Sequence, residues 1–151
     1  MPVLLPLPNA SDVLPVKGVR WGVVQAGVKK VNRKDVSVCA LDAGTVVDAV
    51  FTRNRFCAAP VRVCQQHIAA GLGVRALAIN TGNANAGTGA AGMLHALSMT
   101  QTAASALGIR SEQVLPFSTG VILEPLPIDR VNAGIAAACG SLQTDAWLDA
   151  A

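Results

Sequence analysis

Apolar residues along the chain form short runs of strand length in the first half and helix-spaced positions in the second. Trp21–Val28 is apolar and punctuated by glycine, which predicts a strand. Val36–Asp42 and Val46–Thr52 are two β-rich runs separated by Asp42-Ala43-Gly44-Thr45, a hairpin turn in which Gly44 supplies the positive φ. Val61–Val63 reads as a short strand, followed by a short helix over Gln65–Ala70 that Gly71 ends. The apolar run Val74–Ile79 predicts a buried strand, and NTGNANAGTG, residues 80–89, predicts a loop. Ala90–Leu107 predicts a long helix with Met93, Leu94, Leu97, Thr100, Ala104 and Leu107 on its inward face and Gly108 as its stop. Gln113–Phe117 predicts a second buried strand, running into Ser118-Thr119-Gly120. Pro127 suits the first turn of a helix through Ala138, with Asp129 at its positive end, and a last amphipathic segment carries Trp147 and Leu148. Residues 1–17 read as a Pro-rich extended lead-in, and 18–151 as one domain without internal repeats. Interspersed strands and helices predict a layered α/β or α+β fold.

Composition adds a constraint. In 151 residues, 52% are apolar and only 14% charged, the reverse of a disordered chain. So little charge is unusual for the surface of a free-standing soluble monomer, and it predicts a subunit that hides surface against a partner. No apolar run approaches the roughly 18 residues of a membrane span. The N-terminus has no basic start, and its prolines interrupt any signal-peptide helix. The net charge of +3 is carried by scattered groups such as Lys29, Lys30, Arg33 and Lys34, without interleaved aromatics. Neither a nucleic-acid surface nor a membrane surface is expected. Cys39, Cys57, Cys64 and Cys139 form no CxxC pair, and His67 and His95 have no second ligand at metal spacing. No metal site is expected, and the thiols read as reduced, buried groups of a cytoplasmic protein.

Two glycine patterns resemble nucleotide motifs and fail on context. Gly71-Leu72-Gly73-Val74-Arg75-Ala76 precedes a strand instead of following one, so it presents no helix N-terminus to a pyrophosphate. Gly82 to Gly87 has the glycine spacing of a phosphate loop, but Thr88-Gly89 stands where a lysine and a hydroxyl residue are required. Two segments keep a chemical reading beside a structural one. The 80–89 loop follows a buried strand; its Asn80, Asn83 and Asn85 suit either turn geometry or the lining of a site. Ser118-Thr119-Gly120 is either a plain turn or, through the Thr119 hydroxyl and the Gly120 amide, a pair of donors to one developing oxyanion. No GxSxG elbow surrounds Ser118.

Four collinear stretches carry a resemblance: GVRWGVVQAGVKK (18–30), RKDVSVCALDAGTVVDAVFTRNRFCAAPV (33–61), RALAINTGNANAGTG (75–89) and VLPFSTGVILEPLP (114–127). Together they resemble the N-terminal part of the glutamate N-acetyltransferase (ornithine acetyltransferase) family of bifunctional arginine-biosynthesis proteins. The resemblance implies an αββα sandwich of the self-processing aminopeptidase type and a precursor that cleaves itself before a threonine. The threonine freed at the start of the β chain is the nucleophile, with its own amine as base. It carries acetyl from N-acetyl-ornithine to glutamate, and in many members acetyl-CoA also serves as donor. No tightly held cofactor is implied. The family's oxyanion donors map onto Thr119 and Gly120, with Asn80, Asn83, Asn85 and Ser118 as candidate lining residues.

The chain ends at Ala151 before any Met-Thr-Thr-Asp-type cleavage segment, so it is expected to be an α chain whose nucleophile lies in the β chain. An α2β2 heterotetramer is the implied assembly. A peptidase or amidase of the same fold family, or an inert scaffold when isolated, are the competing readings. Leu123 stands where the family has glycine, an exchange expected to be tolerated if the backbone there is not at positive φ.

Overall fold

A computed structural model describes residues 8–151. The reading of residues 1–7 as part of an extended lead-in lies outside the described residues; Ala10–Asp12 forms a single 3-10 turn. The strands are β1 (Val19–Val24), β2 (Val36–Leu41), β3 (Ala76–Asn83) and β4 (Val114–Val121). The helices are α1 (Ala59–Ala69), α2 (Gly89–Leu107), α3 (Ile128–Gly140) and the short α4 (Trp147–Ala150). Among the described residues the strands make one sheet in the order β1-β2-β3-β4. The first two pairings are antiparallel and β3–β4 is parallel. A parallel neighbour requires a crossover, and α2 supplies it.

One face of the sheet carries the main core. Val36 and Val38, Ala76 and Ala78, and Val114 alternate inward and pack against Met99, Ala103 and Ala104 of α2 and Val131, Ile135 and Ala138 of α3. The helices come close because small residues face the contact. A Cβ at Gly22 of β1 would lie 1.9 Å from the Ala138 carbonyl oxygen. On the other face, Cys39, Leu41 and Leu115 form a smaller cluster with Cys64 of α1 and the half-buried Trp21, Phe51 and Leu77. Trp147 packs edge-on against Trp21 at 5.8 Å between ring centroids.

Helix α1 covers the outer edge of β4. The buried His67 donates from Nδ1 to the Val114 carbonyl at 2.8 Å, and the Cys64 thiol donates to the Pro116 carbonyl at 3.3 Å. These two bonds satisfy edge carbonyls that would otherwise be open to another strand. Burial pushes the Cys39 and Cys64 thiols up to about 11 and raises Cys139, so none of the three is poised as a thiolate nucleophile.

Five expectations change. The strand expected over Trp21–Val28 starts at Val19 and ends at Val24, because Asp35 draws the following residues into a loop. The hairpin partner Val46–Thr52 is not a strand. The neighbours of β2 are β1 and β3, so no edge is left for it, and Val46 and Val50 project into solvent. Val61–Val63 lies in α1, which begins ten residues before Ala69 with Pro60 in its first turn, where proline is favoured; Gly71 follows the helix end as predicted. Residues 80–83 extend β3, so the loop begins at Ala84. Helix α2 ends at Gly108 with φ 66, as predicted, but its buried face is Gly92, Ala96, Met99, Thr100, Ala103 and Ala104. That is a rotation of about one residue from the expected face. A Cβ at Gly92 would meet Thr88 Oγ1 at 1.9 Å, so the tight approach of this end selects the small-residue face and leaves Leu94 and Leu97 exposed.

Candidate functional site

Loops after parallel strands gather at the strands' C-terminal ends, where open α/β sheets place their ligands. Here those ends are Asn80–Asn83 and Ser118–Val121, in register from Asn80 beside Ser118 to Asn83 beside Val121. Side chains alternate along β4, so Ser118 and Thr119 take opposite faces. Ser118 turns toward the core side and donates from its hydroxyl to the Asn80 amide oxygen at 2.6 Å. Thr119 is exposed on the other face.

The direction of the Gly120 amide follows from parity. The Val114 and Pro116 carbonyls face α1, away from β3. The Val121 carbonyl accepts from Ala84 N on the β3 side at 2.8 Å. Backbone groups alternate sides along a strand. Gly120 therefore directs its N–H to the outer edge, next along the chain from the exposed Thr119. Gly120 has φ 133, and a Cβ there would sit 2.4 Å from the Gly82 carbonyl carbon. Only glycine fits this close approach of two backbones.

The asparagines hold this end of the sheet together. Asn80 is fully buried; besides accepting from Ser118, it donates to the Asn83 carbonyl at 2.9 Å. Asn83 donates to the Glu124 and Pro125 carbonyls at 3.1 and 3.2 Å and accepts from Asn85 N at 2.8 Å. Asn85 donates to the Gly92 carbonyl at 2.8 Å and accepts from the Thr88 hydroxyl at 2.8 Å. The two loops that frame Thr119 and Gly120 are thus tied to each other and to the start of α2. The geometry brings Thr119 and Gly120 together at the surface and places Asn80, Asn83, Asn85 and Ser118 behind them as a buried network. Asn80→Ala orphans the Ser118 hydroxyl and the Asn83 carbonyl. We expect a loss of about 2–4 kcal/mol, read as a lower denaturation midpoint of the intact protein; an unchanged midpoint contradicts this account of the network.

Leu123 has φ 64, contrary to the condition on which its tolerance was expected to rest. Its N–H donates to the Ala86 carbonyl at 2.8 Å, which fixes the turn. A left-handed leucine carries roughly 1–2 kcal/mol of strain, against about 0.5–1 kcal/mol of extra backbone entropy for glycine. Leu123→Gly is accordingly expected to raise stability by up to about 1 kcal/mol, seen as a higher Tm; a clear drop in Tm contradicts the strain.

Sequence reasoning missed the segment 25–34 beside this corner. Asp35 is 4% exposed, and its carboxylate accepts from Ala26 N at 2.7 Å and Val28 N at 2.6 Å. Arg130 donates to the Gly27 carbonyl at 3.0 Å, and Lys29 forms an ion pair with Glu124. The signal that could have found it is an aspartate directly preceding a buried strand. Among the described residues no cluster of histidine, cysteine or carboxylate side chains is arranged to hold a metal ion.

The sequence model of the ArgJ family matches residues 20–151. The chain belongs to the ArgJ family. The arginine biosynthesis bifunctional protein ArgJ of Colwellia psychrerythraea is 47% identical over 161 residues, covering 100% of this chain and 38% of that protein. The chain thus spans well under half the length of this curated relative. The crystal structure of the arginine biosynthesis bifunctional protein argJ from Bacillus halodurans matches with a TM-score of 0.75 at 37% identity, over 80% of this chain and 62% of the other. Ornithine acetyltransferase from Mycobacterium tuberculosis, crystallised with ornithine, matches with a TM-score of 0.79 at 33% identity, over 86% and 69%. The family resemblance and the mixed α/β fold expected from the sequence are both borne out. The described residues form one sheet with helices packed on it.

Proposed function

We propose that this chain is the α part of a self-cleaving acetyltransferase that moves acetyl from N-acetyl-ornithine to glutamate in arginine biosynthesis. The observation that carries the reading is the pairing, on a member of the ArgJ family, of an exposed Thr119 hydroxyl with an outward-facing Gly120 amide at the ends of two parallel strands.

Acetyl transfer passes through a tetrahedral intermediate whose oxygen becomes negative, and fixed donors aimed at that oxygen lower the barrier. Thr119 and Gly120 are such donors. Their strand is held by the ladder to β3 and by the Asn80–Ser118 bond, so little reorganisation is needed as charge develops. The nucleophile is the N-terminal threonine of a β chain from the same precursor, whose α-amine takes the hydroxyl proton and later returns it to the leaving amine. The acetyl group is first held as an ester on that threonine and then passed to the amine of glutamate, so each amide bond broken or formed is matched by the ester.

A β chain would also cover the apolar surface around the corner. Phe117, Val121, Ile122 and Leu123 are all at least 41% exposed, an unusual run for a free surface. This is the surface that the low charge of the sequence called for. The assembly we favour is an α2β2 heterotetramer working in the cytoplasm, where the four free thiols stay reduced.

The experiment is an assay of the intact purified enzyme with N-acetyl-ornithine plus glutamate, beside small peptide amides plus water. N-acetyl-glutamate and ornithine formed in equal amounts is the expected result. Amide hydrolysis without transfer assigns the site to a peptidase instead.

A further inference from the structure

We propose that the cavity between the N-terminal ends of α1 and α2 binds a small organic dicarboxylate, at a place separate from the Thr119–Gly120 corner. The cavity holds about 470 Å³, and its walls include Arg55, Arg62, Phe56, Met93, Gly89 and Ala90. Neither Thr119 nor Gly120 lines it.

The cavity is cationic and nothing within the chain neutralises it. Arg55 and Arg62 have no carboxylate partner among the described residues, and no carboxylate lines the cavity. Neither α1 nor α2 carries an acidic residue in its first turn to offset the positive end of its dipole. The start of α2 is also left uncapped. Thr88 stands at its N-cap but donates its hydroxyl to the Asn85 amide oxygen at 2.8 Å. The first-turn amides of Gly89 and Ala90, at the cavity wall, stay open to an acceptor from outside the chain.

The segments that carry the two arginines are anchored. Asn54 Oδ1 accepts from Phe56 N at 3.0 Å, which sets the turn holding Arg55. The Asn85 carbonyl accepts from Ala59 N at 3.4 Å, which ties the start of α1, and so Arg62, to the loop before α2. Gly87 lets that loop come close: a Cβ there would lie 3.0 Å from Phe56 Cζ.

Size, lining and charge together decide the ligand class. Each guanidinium presents a planar fork that takes one carboxylate through two parallel bonds. Two unpaired forks therefore call for two anionic groups. A cavity of this volume holds a small organic molecule rather than a bare ion. Phe56, Met93 and Ala59 give it an apolar wall, which a compact polyphosphate would leave without a partner and a short aliphatic chain would cover. A dicarboxylate with such a chain between its ends uses all of these features. The binding does not depend on the acetyl-transfer reading.

The test is calorimetric titration of the intact enzyme with glutarate, with acetate and with inorganic pyrophosphate, for the wild type and for R55A/R62A. Both substituted residues are exposed, and an unchanged Tm verifies that the variant folds. The expected result is that glutarate binds the wild type, that R55A/R62A weakens it about tenfold or more, and that acetate and pyrophosphate bind the wild type far less tightly. Glutarate seated at the acetyl-transfer corner instead would bind the variant as it binds the wild type, because that corner contains neither arginine. That outcome overturns the proposal, as does no binding of glutarate to the wild type. Acetate or pyrophosphate bound as tightly as glutarate overturns it too, since two carboxylates on an aliphatic chain would then not be what the cavity selects. An enzyme that transfers acetyl but fails this titration loses only the dicarboxylate site. One that binds glutarate through the two arginines but transfers no acetyl loses only the proposed function.

Discussion

Thr119→Ala in the intact enzyme is expected to lower kcat for acetyl transfer on the order of 10²-fold or more while leaving the fold intact. The side chain is exposed on the sheet face, so its truncation removes little packing. What it removes is one of two donors to an oxygen that carries full charge only near the transition state. KM for N-acetyl-ornithine should therefore move much less than kcat. Self-cleavage of the precursor passes through the same kind of tetrahedral species, so processing should slow as well. Thr119→Ser, which keeps the hydroxyl, should recover most of the lost rate. Turnover and processing both equal to the wild type would remove Thr119 from the mechanism.

Gly120→Ala is expected to be more damaging still, because it strikes fold and chemistry together. The new Cβ would lie 2.4 Å from the Gly82 carbonyl carbon and 2.6 Å from Asn83 N. Those are backbone atoms in a paired strand, so they cannot swing aside. The variant must part β3 from β4 at their ends or twist β4, and the φ of 133 is itself hostile to a side chain. Overpacking and backbone strain together suggest a loss of about 3 kcal/mol. The amide that addresses the oxyanion turns with the strand, so kcat should fall at least as far as for Thr119→Ala. A variant as stable as the wild type would show that β3 and β4 do not approach as described. A stable and fully active one would also remove the Gly120 amide from the site.

The legible parts of the fold were those with local causes. The stop of α2 at Gly108, Pro127 at the mouth of α3, and the strands within 74–79 and 113–117 follow from turn chemistry and apolar runs. The unread parts depended on partners distant in sequence. Val46–Thr52 has β-type residues, but β1 and β3 already flank β2. Asn80 looked like a loop residue because an unpaired asparagine is costly in a core; Ser118, 38 residues away, supplies the partner that permits it. The outward leucines of α2 break the usual rule because glycine and alanine had to face the close contact. At the site, the exposure of Thr119 and Gly120 at the end of β4 was legible from the strand that runs into them. That Leu123 occupies a left-handed position, and that Asp35 builds a cationic loop beside them, required the backbone to be seen.

The most direct measurement is the N-terminal residue of the second polypeptide, read by mass spectrometry or Edman degradation on the purified intact enzyme. The account predicts two polypeptides, the second beginning with threonine, because only a freed threonine amine provides the base that Thr119 and Gly120 do not. A single uncleaved polypeptide that is fully active, or a second polypeptide beginning with a residue that has no hydroxyl or thiol, would contradict it.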